Sequence, residues 1–178
     1  MRFELTEARG ILTLTPGVIR ALLIGIPESW ASANYGPGTW SPREIVAHLI
    51  YGEMADWIPR MRIILAHGAS HPFDPFDRAG HETFIGTRSL GSLVDEFARQ
   101  RAESLAELDA ARFTDADLDR TGTHPALGPV TLRNLLATWV VHDLNHIAQL
   151  SKALAYQYKD QVGVWEKYLS ILTPPNPR

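Results

Sequence analysis

Three histidines are the residues of this chain best placed to do chemistry. His142 and His146 lie four apart in a stretch of helical periodicity. That spacing puts both imidazoles on one face of a helix, one turn apart. Two rings so placed can reach one metal ion at about 2.0–2.1 Å per nitrogen. The pair falls on the apolar face, between Trp139 and Leu150, and His48 sits on a second apolar face between Ile45 and Leu49. Buried imidazoles need partners. Three inward rings either share a metal or each find a separate hydrogen-bond acceptor, and spacing alone leaves both readings open.

The chain contains no cysteine among its 178 residues. Thiolate ligands and disulfides are therefore excluded, and any metal must use His, Asp or Glu. The other histidines carry weaker signals. His67 falls at a predicted helix C-terminus, where the dipole favours a cation. His71, His81 and His124 fall in predicted loops, with His71-Pro72 and His124-Pro125 reading as turn chemistry.

Four helices must position these side chains. The first is predicted to start at Thr15-Pro16, with Thr as N-cap and Pro at the first helical position, and to end at Pro27. Residues 28–40 read as loop. The second opens on Ser41-Pro42-Arg43-Glu44, a capping box, runs through His48 with a kink at Pro59, and stops near His67-Gly68. The third spans about Ser89 to Ala111, with Leu93, Phe97, Leu105 and Leu108 inward. The fourth spans about Thr131 to Tyr156 and carries Leu132, Leu135, Leu136, Trp139, His142, His146, Gln149, Leu150 and Ala153 along one side. A helical piece around 161–172 is expected to pack Trp165 and Tyr168 as a lid.

No segment shows period-2 alternation, so the predicted class is all-α: a four-helix bundle and one domain over 1–178. The connections 68–88 and 112–130 are too long for tight turns, and at least one is expected to cross the length of the bundle. Phe73, Phe76, Asp74 and Asp77 in the first of them are candidates for the mouth of a site.

Formal net charge is -3, and no basic patch suggests nucleic-acid binding. No apolar run approaches the ~20 residues that span a bilayer, and the opening MRFELTEARG lacks an apolar signal core, so the cytoplasm is the expected location. The expected partner is a small-molecule substrate rather than nucleic acid or membrane; a homodimer is left open.

The motifs Trp40-Ser41-Pro42-Arg43-Glu44-Ile45-Val46-Ala47-His48-Leu49 and Trp139-Val140-Val141-His142-Asp143-Leu144-Asn145-His146-Ile147-Ala148-Gln149 together resemble the DinB/YfiT-like superfamily of small four-helix metalloproteins. The resemblance covers roughly residues 12–156. It implies one divalent cation, nickel or zinc, on His48, His142 and His146. It also implies, among members with a known reaction, transfer or isomerisation dependent on a low-molecular-weight thiol. No thiol-cofactor signature or catalytic residue is identified in the sequence. Gln149, one turn from His146, reads either as a contact to a metal-bound ligand or as an ordinary interface hydrogen bond. Asp143 reads as a surface residue or a support for a ligand.

Two rival functions follow from the same residues. A non-catalytic stress-response protein with a structural metal is one. The other is a metal-dependent hydrolase, sharpest as a zinc peptidase: His142-Asp143-Leu144-Asn145-His146 is similar to H-E-x-x-H, with Glu166 as a third ligand. Asp143 is one methylene shorter than the required glutamate, and no strand is available to align a peptide.

Overall fold

The computed structural model describes residues 3–86 and 88–172; Met1, Arg2, Thr87 and residues 173–178 lie outside the description. Helix α1 spans Leu5–Leu23, eleven residues longer at its start than the Thr15-Pro16 signal predicts. The stripe Ala8, Leu12, Thr15, Ile19 and Leu23 is buried at helical spacing, and this burial overrides the Thr-Pro start signal. Pro16 cannot donate to the Leu12 carbonyl four residues back. Arg101 Nη1 donates to that carbonyl instead, at 2.9 Å, and the helix continues through the proline. A single turn, α2 (Glu28–Ala31), interrupts the predicted loop.

Helix α3 (Pro42–Ala55) opens on the predicted capping box, in which the Ser41 N–H donates to Glu44 Oε2 at 2.8 Å. The predicted second helix is in fact two. The chain breaks at Asp56 (φ -114, ψ -76) and resumes as α4 (Trp57–His67). Pro59 is the third residue of α4, where its missing N–H is harmless, while its ring would clash with the Ala55 carbonyl in an unbroken helix. The following connection holds one turn, α5 (Glu82–Ile85). Helix α6 (Leu90–Ala110) is capped by Ser89, whose Oγ accepts from the Ser92 N–H at 3.1 Å.

Residues 112–130 contain the one departure from the all-α reading among the described residues. Strands β1 (Thr121–His124) and β2 (Gly128–Thr131) form an antiparallel hairpin. The Phe73 N–H donates to the Thr123 carbonyl at 2.9 Å and ties the hairpin to the long connection. Gly122 permits this approach: a Cβ there would lie 2.7 Å from Ile64 and 2.8 Å from Phe73. Thr131 then caps the last long helix, α7 (Leu132–Tyr156), in a reciprocal box with Asn134. Beyond it the chain makes short 3-10 turns. Trp165 and Tyr168 are 67% and 71% exposed, so the expected lid does not form.

The core has two ends. Ala8 and Leu12 of α1 pack with Trp57, Met61, Leu105, Leu136 and Trp139. Ile19 and Leu23 pack with Ile45, Leu49, Leu90, Phe97 and Leu150. It follows that α1 and α7 run in one direction and α3 and α6 in the other. The 68–88 connection must return the chain from the end of α4 to the start of α6. Phe73 lies in the first core region and Phe84 against the second, so the connection crosses the bundle lengthwise. No described helix is long and apolar enough to cross a membrane.

Candidate metal centre

The first half of α3 is buried from Ile45 to Ile50, and His48 projects from it toward α7. Helix α7 presents His142 and His146 one turn apart. His48 Nε2 lies 3.0 Å from His142 Nε2, and His146 Nε2 lies 3.1 Å from the same atom. Two nitrogens bound to one tetrahedral metal at 2.0–2.1 Å are separated by about 3.3 Å, so the cluster has the dimensions of a coordination sphere. The three donor atoms lie within 4.8 Å of one another and are the one such group of His, Asp or Glu among the described residues.

The proton inventory points the same way. Gln149 Oε1 accepts from His146 Nδ1 at 2.8 Å, which leaves His146 Nε2 as a lone pair. Gln149 thus orients a ligand-type imidazole from behind. His142 Nε2 faces both neighbouring rings and can donate to only one of them. Nδ1 of His48 and Nδ1 of His142 are buried without a protein partner. Hydrogen bonds among the rings alone cannot satisfy all three Nε2 atoms, whereas a cation between them can.

Electrostatics keep the rings in their ligand form. Burial, followed by repulsion from a neighbouring imidazole, holds His48, His142 and His146 well below the usual histidine range, at about 3. They are neutral at neutral pH, with lone pairs free for a metal. The unfolded chain protonates the same residues near pH 6.5. Below that value the unfolded state therefore binds more protons than the native state, and stability falls as pH drops through the window from about 6.5 to about 3. For metal-free protein the expected slope approaches about 4 kcal/mol per pH unit, at roughly 1.4 kcal/mol per imidazole. Urea midpoints measured from pH 8 to pH 5 test this. His142→Gln should flatten the slope by about a third, and an unchanged slope would count against the buried neutral cluster.

Aromatic rings wall the site. Trp40 lies 4.8 Å from His48 and stacks on His146 at 6.1 Å and 14°. Trp57 meets His142 edge-on at 5.1 Å and stacks on the core residue Trp139 at 5.8 Å. The crossing connection adds Phe76, 5.9 Å from His48, and the buried His81, 4.9 Å from Trp40. Phe73, expected at the mouth, is a core residue 2% exposed. Asp74 is exposed, and Asp77 Oδ1 accepts from the Ala79 N–H at 3.0 Å.

The remaining expectations fall outside the cluster. Asp143 is neither on the surface nor directed at a ligand. It is fully buried and accepts two hydrogen bonds from Arg101, at 2.6 and 2.9 Å. Arg101 also donates to Glu53 Oε1 at 2.7 Å, and Trp139 Nε1 donates to the same oxygen at 3.1 Å. Glu166 is half exposed and lies 3.9 Å from Lys159, so the peptidase ligand set is not assembled. His67 and His71 pair with each other at 5.4 Å, and His124 packs on Phe73.

The family model described as the DinB superfamily matches residues 11–150. The chain belongs to the DinB superfamily. Among solved structures it is similar to YfiT from Bacillus subtilis, described as a probable metal-dependent hydrolase with an unusual four-helix bundle topology. The two are 21% identical with a TM-score of 0.70, over 89% of this chain and 87% of YfiT. It is also similar to TT2238, described as a four-helix bundle protein, at 20% identity and a TM-score of 0.51, over 82% of this chain and 97% of that one. No functionally curated protein matches it. At these identities the likeness establishes the fold. The parallel pairing of α1 with α7 and the lengthwise crossover are how this DinB superfamily chain builds it.

Proposed function

We propose that this protein is a metal-dependent enzyme that holds one nickel or zinc ion on His48, His142 and His146 and transfers a low-molecular-weight thiol to an electrophile. The observation that carries the reading is the convergence of three inward Nε2 atoms, two from buried rings and one from the half-buried His142, spaced 3.0 and 3.1 Å, with no carboxylate of the described residues completing the group. Three protein ligands leave coordination positions open, the pattern of catalytic rather than structural sites. A metal bound there would supply acidity, since a coordinated thiol loses its proton near neutral pH.

The chain's own residues have definite parts. His48 and His142 are held neutral by burial. Gln149 fixes the ring of His146 through Nδ1. Trp40, Trp57 and Phe76 exclude water from the flanks and offer apolar surface to an organic substrate. The absence of cysteine means the sulfur must come from a diffusible thiol.

A second reading, activation of water for hydrolysis, draws support from the description of YfiT and uses the same open positions. One experiment separates them. Metal-loaded protein is incubated with bacillithiol, mycothiol, glutathione or coenzyme A and a generic electrophile, and in parallel with an activated ester. Thiol consumption at least ten times faster than with His48→Ala supports transfer. Ester hydrolysis alone, with no thiol perturbing a cobalt-substituted site, would replace that reading with the hydrolytic one.

A further inference from the structure

A ligand histidine bound through Nε2 carries its proton on Nδ1, and that N–H ordinarily donates to an acceptor that fixes the ring. His146 has such an acceptor in Gln149. His48 does not: its Nδ1 is buried and has no protein partner. The rings packed against His48, apart from the two other cluster histidines, are Trp40, Phe76 and His81. Indole offers only a donor and phenyl neither donor nor acceptor. His81 alone among them can accept.

His81 Nδ1 lies 3.0 Å from the Arg78 carbonyl, which can only accept, so Nδ1 is the donor and Nε2 is the ring atom available to accept from a neighbour. The ring is 4% exposed and stands 5.9 Å from His48, nearly perpendicular at 85°. The crossing connection is built to deliver it. Gly80 lies flat on Tyr51 of α3, and a Cβ there would come within 2.3 Å of that ring. Phe76 packs on Tyr51 at 5.0 Å. A buried donor without an acceptor thus lies beside a buried ring that can accept, across the α3–connection interface.

We propose that His81 is the positioning residue for His48, accepting the His48 Nδ1 hydrogen bond when His48 Nε2 takes a metal, so that metal binding latches the 71–86 connection over the site. The resulting relay runs from the Arg78 carbonyl through His81 and His48 to the ion. The latch rests on the metal-binding reading above. It adds a role for a histidine outside the ligand set and a link between the ion and the segment covering it.

The test is zinc affinity by chelator competition, with hydrogen exchange of residues 76–86, on untagged protein. His81→Phe keeps an aromatic ring against Trp40 and removes the acceptor. It should weaken zinc binding about 10–100-fold, the usual effect of losing such a support. It should also abolish the metal-induced slowing of exchange in 76–86 that the latch predicts for the wild type. His81→Gln retains an acceptor oxygen and should lose less. Zinc affinity in His81→Phe within threefold of wild type, or equal losses in both variants, would overturn the latch while leaving the three-histidine reading intact. Failure of the wild type to bind zinc at all would overturn both.

Discussion

Arg101→Leu is expected to destabilise the protein by about 3–5 kcal/mol, the cost of leaving buried charges without their partner. Arg101 is 1% exposed, and it joins Glu53 and Asp143, neither of which reaches solvent. It also satisfies the Leu12 carbonyl that Pro16 leaves free. Leucine fills part of the volume but strands two carboxylates and that carbonyl together. For a domain with a total stability of about 5–15 kcal/mol the loss is a large fraction. It should appear as a fall in Tm on the order of 10 °C for a chain of this size. Burial raises the Glu53 pKa and Arg101 opposes that rise. Without the guanidinium the carboxyl moves higher still and takes a proton more readily. The penalty in Arg101→Leu should therefore shrink as pH falls toward 5. Urea unfolding followed by circular dichroism at pH 7.5 and pH 5.5 reads both effects. A loss under 1 kcal/mol, or one independent of pH, would show that the buried network does not hold the bundle together.

His142→Ala is expected to abolish metal binding while leaving the helical fold in place. His142 Nε2 is the atom that both other rings approach. Removing it leaves two donors from different helices and no third. The fall in affinity should exceed the roughly 10–100-fold typical of removing a residue that merely supports a ligand. The fold survives because the core extends well beyond the site on both sides, through Leu12, Met61 and Trp139 at one end and Ile19, Phe97 and Leu150 at the other. Unlike a zinc finger, the bundle is therefore expected to keep its stability without the ion. The expected result is unchanged helical circular dichroism with no zinc retained after dialysis. An unfolded variant would reassign the metal to a structural role and weaken the enzymatic reading.

The outline of the site was legible in the sequence because its signals are local. The i, i+4 histidines, the Ser41–Glu44 box and the apolar stripe of α7 each lie within a few residues of chain. What was not legible depends on long-range contacts. Arg101 interrupts the stripe from Phe97 to Leu105, and its partners lie 42, 48 and 89 residues away. Nothing in their spacing marks Asp143 as buried. The stripe itself was the available signal: a charged residue on a buried helix face requires a partner. His81 was hidden in a Gly- and Pro-rich connection whose path is set by packing on Tyr51. The start of α1 was misplaced because Thr15-Pro16 imitates an N-terminus, and the carbonyl that should have forbidden a longer helix is rescued by Arg101. The hairpin was missed because its four-residue strands lie among Gly and Pro and are held by Phe73 rather than by alternating burial.

X-ray absorption on zinc-loaded, untagged protein tests the central claim most directly. The account predicts one zinc per chain with three imidazole nitrogens at about 2.0–2.1 Å and at least one further light, non-imidazole scatterer at the open position. A shell with fewer than three imidazoles, or one closed by side-chain carboxylates alone, would contradict it.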